Sequence, residues 1–471
     1  MLMGLAYSDI TPDKPMELLG YGDRDHSYEG IHDPLFVYAL VLQQKEQLPV
    51  VWFSVDVCII DSDCAKALKH EITQNTGIPE DSLQIQATHT HSAPNIFALH
   101  AKNGEVEKAY FTLLVDQFSR ALEEARRNLK SVRIELRSGV GTIGINRRGL
   151  EKLIDPRLFL LTFVDEIDKT TVGAVFYYSC HLTTLGVDNY LVSSDWVGPV
   201  REWYQQSRGI PLMFIQGAEG NVDPKTRGVL DMSDPKQAYG VSFAEMAAIS
   251  QEMITCIENT EAADPVSELS EVLITQKALT LPLRSGIMTQ DDVKKAIDTW
   301  KVGFAEFLGV EPDEVPEDHT INALIKKRCI ALGISAEETK MQTEQQFSYT
   351  NFLWTHRQNK AYLQLDHGTI TLNITIINFG SFVVIGLPVE PLMNINLNLK
   401  NSVENRVVVA AGLFNGFFGY FPHSENFKED QADQLYETVS TIFASDAADI
   451  LLSEIAVLID TQNFKLGDSK L

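Results

Sequence analysis

Leu83-Gln84-Ile85-Gln86-Ala87-Thr88-His89-Thr90-His91 alternates apolar and polar residues, and it reads as a β-strand with Leu83, Ile85, Ala87, His89 and His91 on one face. That face is apolar until it meets two imidazoles. Side chains two apart on a strand point the same way, so both rings can converge on one point, and neutral imidazole is a common zinc ligand. An H-x-H alone fits packed or solvated histidines equally well, so its meaning depends on what other segments bring beside it.

Those segments repeat one arrangement, an apolar strand running into small or polar residues. Residues 50–60 (VVWFSVDVCII) carry Asp56 inside a buried-strand pattern, and residues 172–180 (VGAVFYYSC) lead into His181. Leu212–Gln216 (LMFIQ) opens into residues 217–224 (GAEGNVDP), and residues 382–385 run through Gly386, Leu387 and Pro388 to Glu390. Ligands of open α/β sheets gather where strands end, so these termini predict a shared site. Helical stretches separate the strands, notably residues 107–129, where apolar residues recur at spacings of three and four and acid precedes base. The alternation implies an α/β fold, with a mixed β-sheet core and flanking helices.

From residue 289 to 362 the texture turns acidic and helix-prone, with Trp300, Phe304 and Phe307 at helical spacing. This stretch is expected to be an inserted helical subdomain or lid, its aromatic stripe a small core. It would divide one catalytic domain into residues 1–288 and 363–471. A further helix is expected over residues 440–457, then a polar tail after Leu458.

With 471 residues, 44% of them hydrophobic and 22% charged, the chain has ordinary globular composition. A formal net charge of -25 repels phosphate backbones and anionic lipid head groups, which argues against nucleic-acid binding or polybasic membrane contact as the main role. No run approaches the roughly 18 apolar residues of a membrane helix. Residues 1–9 (MLMGLAYSD) lack a basic region followed by an apolar one, so no secretory signal is expected and the cytoplasm is the default location. Five cysteines, Cys58, Cys64, Cys180, Cys256 and Cys329, form no C-x-x-C, which argues against disulfides or a thiolate zinc site. Buried thiols are expected, with Cys180 singled out because it precedes His181.

Ten short pieces then occur in order: Asp9-Ile10-Thr11-Pro12, Leu19-Gly20-Tyr21, Gly30-Ile31-His32, Thr88-His89-Thr90-His91-Ser92, Asn146-Arg147, His181, residues 217–224, Glu390, Gly419-Tyr420 and Tyr436-Glu437. Together they resemble the neutral/alkaline ceramidase family of zinc amidases, which cleave the amide bond of N-acyl sphingosines. The resemblance implies a zinc-dependent amidohydrolase with His89, His181, Glu390 and Tyr420 as zinc ligands. Two imidazoles, a carboxylate and an open position form a recognised catalytic zinc set, whereas phenolate is a rare ligand and residues 414–421 also fit packed aromatics. The same resemblance puts His32, His91, Arg147 and Tyr436 around the metal without ligating it. In that scheme His91 takes a proton from a metal-activated water and passes it to the leaving nitrogen, while Arg147, Tyr436 or His32 donates to the oxyanion.

Asp56 reads either as a partner orienting a histidine or as a buried structural acid. Residues 217–224 read as a turn lining the site, since no G-x-x-x-x-G-K-[ST] is present, and no G-x-S-x-G surrounds Ser92. The chain departs from the family at Ala93-Pro94-Asn95-Ile96, where Gly-Pro-Gly-Gly is usual, and at Phe421-Pro422-His423-Ser424, where Val-Thr-Thr is typical. The bulkier residues after His91 are expected to reshape the pocket wall. Secreted members also carry a C-terminal immunoglobulin-like domain, and this chain stops soon after its expected last helix. These departures leave a lipid-like or a soluble N-acyl amide as substrate. A zinc esterase or lactonase and a non-catalytic binding protein on the same fold are the alternatives.

Overall fold

A computed structural model describes the chain apart from residues 22–23, 45–47, 230–239, 263–271, 285–289, 316–319, 336–367, 403–405, 429–434 and 468–471. The twelve longer strands are β1 Leu2–Asp9, β2 Phe36–Gln43, β3 Val50–Val55, β4 Leu83–Ala87, β5 Lys130–Val140, β6 Arg157–Asp165, β7 Thr171–Tyr178, β8 Leu212–Gln216, β9 Leu273–Pro282, β10 Thr369–Asn378, β11 Phe382–Gly386 and β12 Val407–Ala411. The first eight join in the order β8-β7-β6-β5-β1-β2-β3-β4, with Glu261–Ala262 added beside β5, and the last four form a second sheet in the order β9-β10-β11-β12. Both sheets are mixed. Parallel pairing occurs in the pairs β3/β4, β7/β8 and β11/β12.

Each parallel pair is a strand–helix–strand unit, because parallel neighbours need a crossover. The crossover helices are α1 Ser62–Thr76, α3 Val197–Arg208 and α7 Met393–Ser402. Two more helices, α2 Glu105–Arg127 and α4 Phe243–Glu258, cover the large sheet, and Tyr436–Ser440 (α8) and Ala447–Gly467 (α9) follow the second. Four layers result. Ala39, Val51, Phe53 and Ile85 pack one face of the large sheet on α1 and α2, and Phe176, Leu212 and Phe214 do so on α3 and α4. The opposite face, through Leu40, Trp52, Val175 and Met213, packs on Ile377, Phe382 and Val384 of the second sheet. That sheet's outer face then packs on α7 and α9 through Ile395, Leu399, Leu451 and Ile455.

The expected strands and the helix after residue 107 stand within two residues of their sequence positions, apart from the strands read over residues 50–60 and 83–91, which end at Val55 and Ala87. Three other details differ. Gln84 and Gln86, which alternation would send to solvent, are fully buried, because β4 is covered on both faces. The helix expected over residues 440–457 is instead α8, a break, and α9, since Thr441 leaves helical geometry with ψ 144. Helix α9 also continues past Leu458 to Gly467, where a polar tail was expected.

The buried glutamines have partners. The Gln86 carboxamide donates to Gln216 O at 2.7 Å and to Gly412 O at 2.9 Å, and Ser54 Oγ donates to Phe214 O at 2.7 Å. β4 and β8 are the two edges of the large sheet, so these bonds draw its edges together. The exit of β12 fills the seam, with Gly412 N donating to Gly217 O at 3.2 Å and Asn415 N to Ile85 O at 2.7 Å. Gln84 Oε1 accepts from Thr375 and Asn415, tying β4 to the second sheet.

Asp56 is a structural acid. It takes both Nη atoms of Arg201, at 3.0 and 2.5 Å, and accepts from Thr88 Oγ1 and Phe36 N. No histidine is among those partners, so the reading of Asp56 as a histidine-orienting group is corrected.

β9 and β10 pair without interruption from Leu273↔Asn378 to Pro282↔Thr369, and everything between Pro282 and Thr369 is inserted at the tip of that hairpin. Two described helices lie there, α5 Gln290–Leu308 and α6 Thr320–Leu332, and Phe304, Ile321, Ile325 and Cys329 form a cluster of their own. The side chain of Trp300 and residues 336–362 of the expected insert lie outside the described residues. No described helix is long and apolar enough to cross a membrane.

Replacing Gln86 with alanine leaves two buried carbonyls without that donor, and a buried acceptor left unmade costs about 1–3 kcal/mol. Gln86→Ala is therefore expected to lower unfolding free energy by about 2–4 kcal/mol in urea titration. A change under about 0.5 kcal/mol would show that the seam does not depend on this side chain.

Candidate metal centre

The three strand–helix–strand units deliver the chemistry-bearing residues. β4 ends at Ala87, and Thr88 N and His89 N then donate to Val55 O and Val57 O. His89 adopts φ 74, a left-handed conformation uncommon for a residue with a Cβ, and so departs from the simple alternation that its sequence suggests. Thr90 then pairs with Leu182 as an isolated parallel bridge, which sets the H-T-H beside the segment leaving β7. The rings of His89 and His181 come to 4.8 Å between centroids. From the second sheet, Glu390 pairs in parallel with Tyr420, its N–H donating to Gly419 O.

His89 Nδ1 donates to Cys58 O at 2.7 Å, and His181 Nδ1 donates to Glu219 O at 2.9 Å and approaches Val222 O at 3.1 Å. Those carbonyls fix both tautomers and leave each Nε2 with a lone pair facing inward. Glu390 Oε2 lies 3.5 Å from His89 Nε2 and 3.4 Å from His181 Nε2, and it has no hydrogen-bond partner although buried. A tetrahedral ion with nitrogen and oxygen ligands at about 2.0–2.2 Å spaces them about 3.3–3.6 Å apart. The three groups therefore fit a divalent ion such as zinc, and an orphaned buried oxygen is otherwise costly. Burial opposes ionisation of Glu390, yet His89 and His181 hold its carboxyl well below the usual range.

Around this set stand the other expected residues. His91 Nε2 is 3.4 Å from His89 Nε2, and burial together with His89 and His181 pushes the His91 imidazole well below its ordinary range. Gly20, at φ 116, leaves the space that this ring needs, since a Cβ there would sit 2.3 Å from His91 Cγ. The Arg147 guanidinium carbon lies 5.5 Å from the centre of the Tyr420 ring, and the Tyr420 and Tyr436 rings meet edge to face at 5.3 Å. Burial raises both phenols above their ordinary range. His32 makes its contacts elsewhere: its ring is stacked on Phe243 at 3.7 Å, with Nδ1 2.7 Å from Asp33.

Several residues here were not assigned a role by sequence. Glu437 is buried, with Oε1 2.7 Å from Arg147 Nε and Oε2 2.7 Å from Arg148 Nη2. Asp223 lies 3.4 Å from His181 Nδ1 and 3.5 Å from Arg147 Nη1, joining the metal set to the arginine. Burial pushes the Glu219 carboxyl up to about 8. Glu437 belonged to the quoted Tyr436-Glu437 piece, and Glu219 and Asp223 to the turn over residues 217–224 that was read as lining the site. Among the cysteines, it is Cys58 whose Sγ lies 3.7 Å from His89 Nδ1, while the thiol singled out earlier, Cys180, packs in the core beside Tyr178 and Trp196. Ile96, expected in the pocket wall, instead joins the core under β4 with Phe97 and Leu99.

Residues 1–230 match the family described as neutral/alkaline non-lysosomal ceramidase, N-terminal. Neutral ceramidase A of Dictyostelium discoideum is 23% identical across 97% of this chain and 72% of its own length. Over its first 230 residues the chain is thus similar to the neutral/alkaline non-lysosomal ceramidase family. The neutral ceramidase of Pseudomonas aeruginosa is 27% identical over 246 residues, 47% of this chain and 36% of that relative. The solved structure of a neutral ceramidase from P. aeruginosa has the same fold, with a TM-score of 0.68 at 19% identity over 97% of this chain and 73% of that one. In the ceramidase-type chain described here, the family match includes His89, His91, Arg147 and His181 but stops before Glu390, Tyr420 and Tyr436.

His181→Ala and Glu390→Gln are expected to lose tightly held zinc on dialysis, whereas His91→Ala retains about one per chain, as read by atomic emission. Zinc retention by His181→Ala equal to that of the unmodified protein would remove His181 from the ligand set.

Proposed function

We propose that this chain is a zinc-dependent amidohydrolase that cleaves the amide bond of N-acylated long-chain amines of the ceramide type. The observation that carries this reading is the triad of inward-facing atoms on His89, His181 and Glu390 at tetrahedral-edge spacing. Similarity to the ceramidase family narrows the bond to an amide. Tyr420, in register with Glu390, is the proposed fourth ligand.

Zinc in this set would supply Lewis acidity toward the amide carbonyl and bring the pKa of water to about 7. His91 is partly exposed and unprotonated at neutral pH, so its Nε2 is placed to accept the proton of the attacking water and return it to the departing nitrogen. Arg147 points a buried Nη2 that has no hydrogen-bond partner among the described residues, while Glu437 holds its Nε and Asp223 lies 3.5 Å from its Nη1. A preoriented donor of this kind suits the developing oxyanion. Tyr436, held protonated by burial, is a second donor. His91, Tyr420 and Tyr436 are the part-exposed members of the site, so substrate would enter across them.

The purified zinc form should be incubated with short- and long-chain N-acyl sphingosines beside soluble amides and esters. Release of fatty acid from the sphingosine amides is expected. His91→Ala should lower kcat by about 10²–10⁴-fold with zinc retained, and Arg147→Met by about 10²–10³-fold. No cleavage of any N-acyl sphingosine by fully zinc-loaded protein would retire the lipid reading.

A further inference from the structure

We infer that Cys58, His89 and His91 form a second metal position, overlapping the first and suited to a thiophilic divalent cation, whose occupation withdraws His91 from catalysis. This deepens the reading of His89, His181 and Glu390 as the catalytic metal set and rests on it. One ligand atom from each of Cys58, His89 and His91 lies within 4.8 Å of the other two. The spacing of 3.4 Å between the Nε2 atoms of His89 and His91 already matches a tetrahedral edge. A site with one sulfur at about 2.3 Å and two nitrogens at about 2.0–2.1 Å needs the thiol no more than about 3.6 Å from each nitrogen. Cys58 Sγ stands 3.7 Å from Nδ1 of the same His89 ring, and rotation about its χ1 bond can swing it toward the Nε2 side.

His91 is available for such an ion. Its Nδ1 is buried with no hydrogen-bond partner among the described residues, and its Nε2 faces His89 Nε2. Once His89 Nε2 is engaged by a cation, His91 loses that contact and can offer its own lone pair. Cys58 is buried at 3% exposure, and its thiol stands beside His89 while its backbone carbonyl orients the same ring. Binding releases the thiol proton to solvent, since the thiolate is the ligand.

The two positions differ in softness. His89, His181 and Glu390 offer two nitrogens and an oxygen, whereas Cys58, His89 and His91 offer a sulfur and two nitrogens, which favours cations such as Cd2+. Because His89 is common to both, the two ions compete. Cadmium should therefore displace zinc and also take away the base.

Cadmium is titrated into the zinc-loaded full chain while released zinc and the ultraviolet sulfur-to-cadmium charge-transfer band are followed. Release of zinc one for one, appearance of the band and loss of amidase activity are expected. Cys58→Ser, which keeps the backbone carbonyl, should lose the band, and Cys180→Ser and His181→Ala should keep it. No band in the unmodified protein, a band unchanged in Cys58→Ser, or its loss in Cys180→Ser would overturn the inference. Failure of the catalytic reading shows separately, as unmodified protein that retains no zinc on purification.

Discussion

Closure of the large sheet upon itself is the constraint on which the site depends. β4 and β8 lie at opposite ends of an eight-strand path, so His89 and His91 at one edge and His181 near the other would be far apart in an open sheet. The carboxamide of Gln86 and the hydroxyl of Ser54 bind backbone carbonyls of β8 across the gap. Polar groups with no water nearby must find partners, and here those partners exist only when the edges meet. Two bonds across the gap thus help convert distant sequence into adjacent imidazoles.

The second sheet supplies what the first lacks. Its own parallel pair ends at the same seam, so Glu390 arrives opposite the two histidines from a separate sheet. Each metal-directed nitrogen is oriented by a carbonyl at its far side, and the carboxylate is ionised by the rings that it faces. The anion-holding side is built in the same way, with Glu437 shared between Arg147 and Arg148. With Nε and Nη1 of Arg147 held by Glu437 and Asp223, the guanidinium is fixed in orientation while Nη2 has no partner among the described residues.

The sequence displayed the elements better than their meeting. Alternation located β4, apolar runs located β7, β8 and β11, and spacings of three and four located helix α2. It also read the H-T-H as convergent, though the turn at His89 that makes it so is a matter of φ and leaves no pattern. Strand ends placed His181 and Glu390 near a shared site, but their role as ligands came from resemblance, since a single histidine or glutamate after a strand carries no spacing. Gln84 and Gln86 were misread because alternation reports one strand's two faces and cannot say that both are covered. Cys58 was hidden within an apolar run, where a thiol is indistinguishable from packing. The helix expected from residue 440 was carried across Thr441 because local propensity ignores the hydrogen bond that Thr441 gives to Tyr420 O.

The β9–β10 hairpin has an evolutionary implication. β10 begins at Thr369, beyond the register of Gly386 with Thr375, so its tip projects from the same end of the sheet as Glu390. Arg284, just past that tip, reaches the carbonyls of Thr438 and Thr441 next to Tyr436. Because the ladder is already closed at Pro282 and Thr369, material spliced in there can grow, shrink or change composition without breaking one interstrand bond, and loop length itself adds little entropic cost. The insert can therefore vary while the cluster of His89, His181 and Glu390 beyond the end of that sheet keeps its geometry.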